Sequence, residues 1–129
     1  MATITTPAWT EDVSLQAAQT LAASASDTDD VDIATAGYDR IVLQFSVTFH
    51  GSATAGYKIE IFSSSNSGTT EDNLPIITQN ISLVTSSTKT ISIIVDGLPY
   101  IAVKRTNLDG SQDIANEAVI YAGRKWSSV

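Results

Sequence analysis

Between Ile41 and Phe49 every second residue is large and apolar: Ile41, Leu43, Phe45, Val47 and Phe49, with Val42, Gln44, Ser46 and Thr48 between them. A period of two is the pattern of a β-strand with one buried face, and it predicts a long strand over Tyr38–His50. Fully extended, that strand would span roughly 43 Å. A compact chain of this length has a radius of gyration near ~14 Å. The strand must therefore bend, switch sheets or stop short of those limits.

Weaker versions of the pattern recur along the chain. Val13–Ala25 is rich in alanine, but Val13, Leu15 and Ala17 alternate before a cluster of small residues, so it reads as extended rather than helical. Ser26–Asp30, SDTDD, reads as a turn, and Val31–Thr35 as a short strand. Gly51–Gly56 is a loop. Tyr57–Ser63, Thr78–Val84, Thr88–Val95, Pro99–Thr106 and Asp113–Ala122 are strands, with hairpin connections at Thr85–Ser87 and Asn107–Gly110. Ser63–Pro75 contains the longest irregular stretch. Residues 1–12 carry Pro7 and read as an N-terminal arm anchored by Trp9, and residues 124–129 as a C-terminal tail with Trp126. About seven or eight strands with Gly, Asp and Asn turns predict an all-β, single-domain antiparallel β-sandwich over 1–129, jelly-roll or Ig-like.

Composition narrows the chemistry. The chain has 129 residues and no cysteine, which removes disulfides and thiolate metal sites. Seven basic against fourteen acidic residues give a net charge of −7, which disfavours nucleic acid as a partner. Lys104-Arg105 and Arg124-Lys125 read as solvated sheet-edge charges. No apolar run approaches the about 18 residues of a membrane span, so no membrane is expected. The segment MATITTPAW has neither the basic nor the apolar region of a signal peptide, which leads to the expectation of a protein made and used inside a cell or released by assembly or lysis.

Candidate chemical groups have simple readings. His50 is the single histidine and reads as a polar strand end; one histidine builds no multi-histidine zinc site. Asp27, Asp29, Asp30 and Asp32 begin like a calcium loop but lack its glycine and terminal glutamate, so they read as a solvated turn. Asn107, Asp109 and Asp113 belong to a hairpin turn. No phosphate loop and no nucleophile elbow is present. No catalytic, cofactor-binding or metal-ligating residue is expected. Phe62 and Ile94 place apolar side chains on the face opposite their strands' main apolar set, which calls for a covering loop or subunit. Trp9, Phe62, Ile94 and Trp126 are therefore the interface candidates.

The segments VDIATAGYDRIVLQFSVTF, YKIEIFSSSNSGTTEDNLPI and ISIIVDGLPYIAVKRTNLDGSQDIANEAVIYAGRKW, together spanning about Val31–Trp126, resemble small all-β structural proteins of tailed bacteriophages. The shared order is an Asp-hydrophobic entry to Gly-Tyr, a long strand, a Leu-Pro-Ile loop, a Leu-Pro-Tyr-Ile-x-Val strand, an Asp-Gly hairpin and a strand ending in Arg-x-Trp. The resemblance implies a non-enzymatic virion component, such as a head decoration protein, head fibre or small tail protein. It implies residence in the virion after synthesis in the host bacterial cytoplasm, with other virion proteins and further copies of itself as partners. It carries no functional residue across. The alternative expectation is a carbohydrate- or receptor-binding module that uses the 63–75 loop and exposed aromatic rings.

Overall fold

The computed structural model describes the backbone of residues 5–64, 72 and 74–128, and the side chains of 8–64, 72 and 74–125. Among them are nine strands and one helical turn: β1 (Thr5–Trp9), β2 (Val13–Leu21), β3 (Ser26–Asp32), α1 (Ile33–Ala36), β4 (Arg40–Phe49), β5 (Tyr57–Ser64), β6 (Ile77–Ile81), β7 (Thr88–Asp96), β8 (Tyr100–Asn107) and β9 (Ile114–Ser128). They form two antiparallel sheets packed as a sandwich. Sheet A runs β1-β9-β4-β7, with β2 also paired to β9, and sheet B runs β3-β8-β5-β6.

The alternation in β4 sets the interior. Ile41, Leu43, Phe45, Val47 and Phe49 are all buried, at 0–1% exposure. Strand β4 is paired along its length to β7 on one side and β9 on the other. Directly opposed residues share a face of the sheet, so Ile91, Ile93 and Val95 of β7 and Val119 of β9 point inward with them. Tyr57, Ile59 and Ile61 of β5, Ile101 and Val103 of β8, and Val31 of β3 meet them from sheet B. The strand is shorter than Tyr38–His50. Tyr38 has left the ladder, and its ring lies against Gly123, where an added Cβ would come within 2.4 Å of it. Only glycine fits at that inward position of β9.

Several boundaries differ from the sequence reading. Val13–Leu21 is a strand, as its alternation indicated. Ser26–Asp32 is also a strand rather than a turn, and Val31–Thr35 is split. Asp27, Asp29 and Val31 face the same side as their β8 partners Arg105, Val103 and Ile101, so one cation on the neighbouring strand receives the acidic alternation. The helical turn α1 follows because Asp32 caps it, accepting the Thr35 N–H at 3.0 Å. Gly37 closes it at φ 80°, donating to the Ala34 carbonyl at 3.0 Å. Residues 5–9 and 124–128, set apart above as parts of an arm and a tail, pair with each other as β1 and the far end of β9. Residues 1–4, 65–71, 73 and 129 lie outside the described residues, and with them most of the 63–75 loop. Among the described residues no helix is long and apolar enough to cross a membrane.

Phe45→Ala should destabilise the protein by about 3–5 kcal/mol, and Gln44→Ala, on the exposed side of the same strand, by less than about 0.5 kcal/mol. Urea unfolding of the two variants measures both; equal effects would reverse the assignment of faces.

Candidate functional site

The densest group of polar side chains lies between the sheets. Arg105 continues the inward row Ile101–Val103 on β8, and Glu117 precedes Val119 in the inward row of β9; both are 0% exposed. Arg105 Nη2 donates to Glu117 Oε1 at 3.3 Å and to Asp27 Oδ2 at 3.2 Å. Its Nη1 donates to Asp29 Oδ2 at 2.7 Å and to the Val103 carbonyl at 3.2 Å. Tyr57 donates its hydroxyl to Glu117 Oε2 at 2.6 Å. Gln19 Nε2 donates to both Glu117 Oε1 at 2.6 Å and Asp27 Oδ2 at 2.9 Å. Gln19 and Glu117 belong to sheet A, and the other four to sheet B, so the group straps the sheets together where the chain crosses from β2 to β3.

Its electrostatics are those of a clamp. Burial raises the Tyr57 phenol well above its usual range, and the charge and hydrogen bond of Glu117 add to this, so the phenol stays a donor. Burial alone would lower the Arg105 pKa, but Glu117, together with the Asp29 hydrogen bond, outweighs it and holds the guanidinium charged. Each carboxylate already accepts hydrogen bonds from Arg105, Tyr57 or Gln19. The reading of Lys104-Arg105 as solvated edge charges is thus corrected for Arg105, because β8 is an inner strand and its odd positions face inward. The sequence did hold a signal: Arg105 and Glu117 each occupy a position of the apolar alternation in their strands.

A second polar group ties the loops at the same end. Asp109 accepts hydrogen bonds from the Thr54 N–H at 2.6 Å and the Ala55 N–H at 3.3 Å across the β4–β5 connection. In its own turn it accepts from the N–H groups of Ser111 and Gln112, at 2.9 and 3.0 Å. Asn107 donates to the Ala22 carbonyl at 3.1 Å and the Gln112 carbonyl at 2.9 Å. These donors account for the Asn107–Asp109 pattern. His50 accepts the Ser52 N–H on Nδ1 at 2.9 Å, closing the turn after β4. Among the described residues no three His, Asp or Glu side chains converge as metal ligands.

The outer faces differ from each other. On sheet B, Lys58 pairs with Glu60 at 3.3 Å, and Phe62 lies half-buried opposite Ala102. On sheet A the outward row Ile94–Val42–Ala122 crosses three strands in register, beside Ile120 in the next row. Ile94 is 57% exposed. Next to it Val42, Gln44, Ser92, Ile120, Tyr121, Ala122 and Asp12 line a shallow depression of about 140 Å³. Trp9 faces the same side, since it opposes Arg124, which opposes Arg40. Arg124 sits 5.9 Å from the Trp9 ring centroid and binds Asp39 at 2.7 Å, while Arg40 binds Asp96 at 2.9 Å. Of the four interface candidates, Trp9 and Ile94 therefore share one face and Phe62 lies on the opposite one. The backbone of Trp126 pairs with Pro7, and its side chain lies outside the described residues. Trp9, at 49%, is the one exposed aromatic ring among the described residues. Tyr38 and Tyr121 meet edge-on at 74° and form no flat stacking platform.

No family model and no curated protein matches the chain. Among solved structures it is similar to YomS, a protein derived from the SPBc2 prophage, with a TM-score of 0.50 and 11% identity over 97% of this chain and 100% of that one. It is also similar to a chain of the Bacillus endospore appendages, which form disulfide-linked pili (TM-score 0.47, 14% identity, 100% and 92% covered). A family 16 carbohydrate-binding module gives a TM-score of 0.43 at 11% identity, with 85% and 74% covered. At these identities the likeness is one of fold.

The loop tie has a pH signature. The N–H groups of Thr54 and then Ser111 hold Asp109 below the usual carboxylate range, with burial opposing and Gln112 and the Ser111 hydroxyl adding to them. A depressed folded-state pKa gives stability that is complete above the unfolded value of about 4 and is lost as pH falls below it. The melting temperature should drop on acidification from about pH 4. Asp109→Asn should start lower at pH 7 and fall less steeply, as read by circular dichroism melts across that range.

Proposed function

We propose that this protein is a non-enzymatic structural component of a phage particle, in a decoration or fibre role, that works by packing against neighbouring subunits of a capsid or tail. The observation that carries the reading is the outer face of sheet A, where Ile94, Val42, Ala122 and Ile120 form an apolar band on an otherwise polar and partly charged surface. Water-facing sheet surfaces favour polar residues, and an apolar band with a depression beside it favours a contact. Trp9 on the same face supplies an aromatic anchor of the kind that dominates interface energies. The polar side chains of the interior, Arg105 Nε excepted, bond one another and hold the fold together. The sequence resemblance to phage structural proteins points the same way, and the shared fold with a prophage-derived protein fits it. A net charge of −7 keeps such a protein dispersed until it meets its site.

Immunogold electron microscopy of particles from the source lysate tests this. Label on heads or tails is the expected result, and chain found only free in the supernatant would contradict it. Ile94→Lys should leave the melting temperature within a few degrees, because the side chain is exposed, and should remove the chain from the particle. Removal of residues 1–12 should leave β2 to β9 folded while weakening incorporation through the loss of Trp9.

A further inference from the structure

Five described strands have a neighbour on one side only: β1, β2, β3, β6 and β7. Unpaired edges invite pairing with other chains, and proteins blunt them with proline, bulges, charge or shortness. Four of these five edges carry such a device across the strand, and the fifth carries charge only at its ends. Strand β1 has five residues and contains Pro7. The β2 ladder has three register shifts. Strand β3 holds Asp27, Asp29, Asp30 and Asp32 in seven residues, and β6 has five residues. Strand β7, TKTISIIVD, has nine residues and a regular ladder to β4 without a shift. Six of its residues are β-branched, it holds no proline, and its two charges lie at its ends. Lys89, the second residue, points inward opposite Val47 and is the one blunting charge of this edge; Asp96 is neutralised by Arg40, so Thr90–Val95 carries no such device.

The register shows which backbone groups the β7 edge offers. Phe49 N–H bonds the Ser87 carbonyl at 3.1 Å, and Gly97 N–H bonds the Asp39 carbonyl at 3.3 Å. In an antiparallel ladder hydrogen-bonded pairs alternate with non-bonded ones, so Lys89, Ile91, Ile93 and Val95 spend their backbone groups on β4. Thr88, Thr90, Ser92, Ile94 and Asp96 turn theirs outward, and all five have exposed side chains.

We propose that this edge is a self-pairing interface: β7 of a second copy adds antiparallel to it about a two-fold axis at Ser92, extending sheet A across both molecules. The inference rests on the assembly reading and names one of its contacts. A two-fold axis at Ser92 sets Ser92 against itself, Thr90 against Ile94 and Thr88 against Asp96. Every one of these is an outward-turned residue, so the full overlap forms about ten main-chain hydrogen bonds with none mismatched. Inside, Ile91 meets Ile93 of the second copy. The lysine of one end and the aspartate of the other fall at the same end of the pair, so no like charges are opposed. A second copy of β3 would instead set aspartate against aspartate. Ile94 belongs both to the edge and to the apolar band, and in this register it packs against Thr90 of the second copy on the outer face.

Sedimentation equilibrium and amide hydrogen exchange on the full chain decide it. Such an edge is a small interface, so dimer is expected to form between about 10 μM and 1 mM. Over that range the amides of Thr90, Ser92 and Ile94 should gain protection, while those of Ile91 and Ile93 stay protected throughout. Ser92→Pro removes the central outward N–H without touching the β4 ladder, and should weaken dimerisation at least about tenfold. Should that variant fail to fold, Ser92→Lys and the concentration-dependent exchange of the wild type carry the same test. A monomer at about 1 mM with fast exchange at Thr90, Ser92 and Ile94 would overturn the proposal. So would a dimer that Ser92→Pro leaves intact, or protection that arises only when a foreign strand is supplied. In each of these cases particle labelling, read separately, still decides whether the chain is a virion component.

Discussion

Two opposite charges with no exposure to solvent, Arg105 on β8 and Glu117 on β9, constrain the way the two sheets meet. An unpaired charge in that interior would be costly by several kcal/mol, so the sheets have one acceptable alignment at this end. A slip of β8 by one residue would carry Arg105 to the outside and bring Lys104 or Thr106 in. A slip of β9 would do the same to Glu117. Tyr57 and Gln19 donate two further hydrogen bonds to Glu117, and Asp27 and Asp29 accept from the rest of the guanidinium's terminal nitrogens. Arg105 Nε alone finds no partner among the described residues. The aliphatic core, by contrast, would tolerate many alignments of Ile, Leu and Val. Burial of apolar surface supplies the stability of this sandwich, and the ion pair supplies its uniqueness.

What could be read from the chain followed the range of the interactions involved. Strands β4, β5, β7 and β8 were legible because their alternation is local and strong. Strand β3 was not, because SDTDDVD looks like a solvated turn until Arg105, more than seventy residues away in sequence, is set beside it. The pairing within the arm and tail was hidden for the same reason: residues 5–9 and 124–128 show little pattern alone and become strands by pairing with each other. The interface candidates were legible singly, from apolar residues on a strand's second face. That Trp9 and Ile94 share a surface, while Phe62 lies on the other side, depends on the strand order β1-β9-β4-β7, which no local pattern encodes.

The molecule divides its chemistry between inside and outside. Inside, charged and polar groups neutralise one another and tie loops and sheets. Outside, sheet B carries the Lys58–Glu60 pair and a half-buried Phe62, while sheet A combines ion pairs at one end with an apolar band, a depression and a long regular edge. A scaffold tied together from within, with an apolar band on one outer face, fits the proposed role of packing against neighbouring subunits.

The claim on which this account depends is that Arg105 and Glu117 act as one unit joining the sheets. A double-mutant cycle in urea with Arg105→Met and Glu117→Leu measures it most directly. Each single change should destabilise by about 3–5 kcal/mol, because it strands a buried partner. The double change should fall short of the sum by about 2–3 kcal/mol, because nothing charged is then left without its counterpart. Single effects that add to within about 0.5 kcal/mol would mean that the two charges do not hold the sheets together as a pair, and would contradict the account.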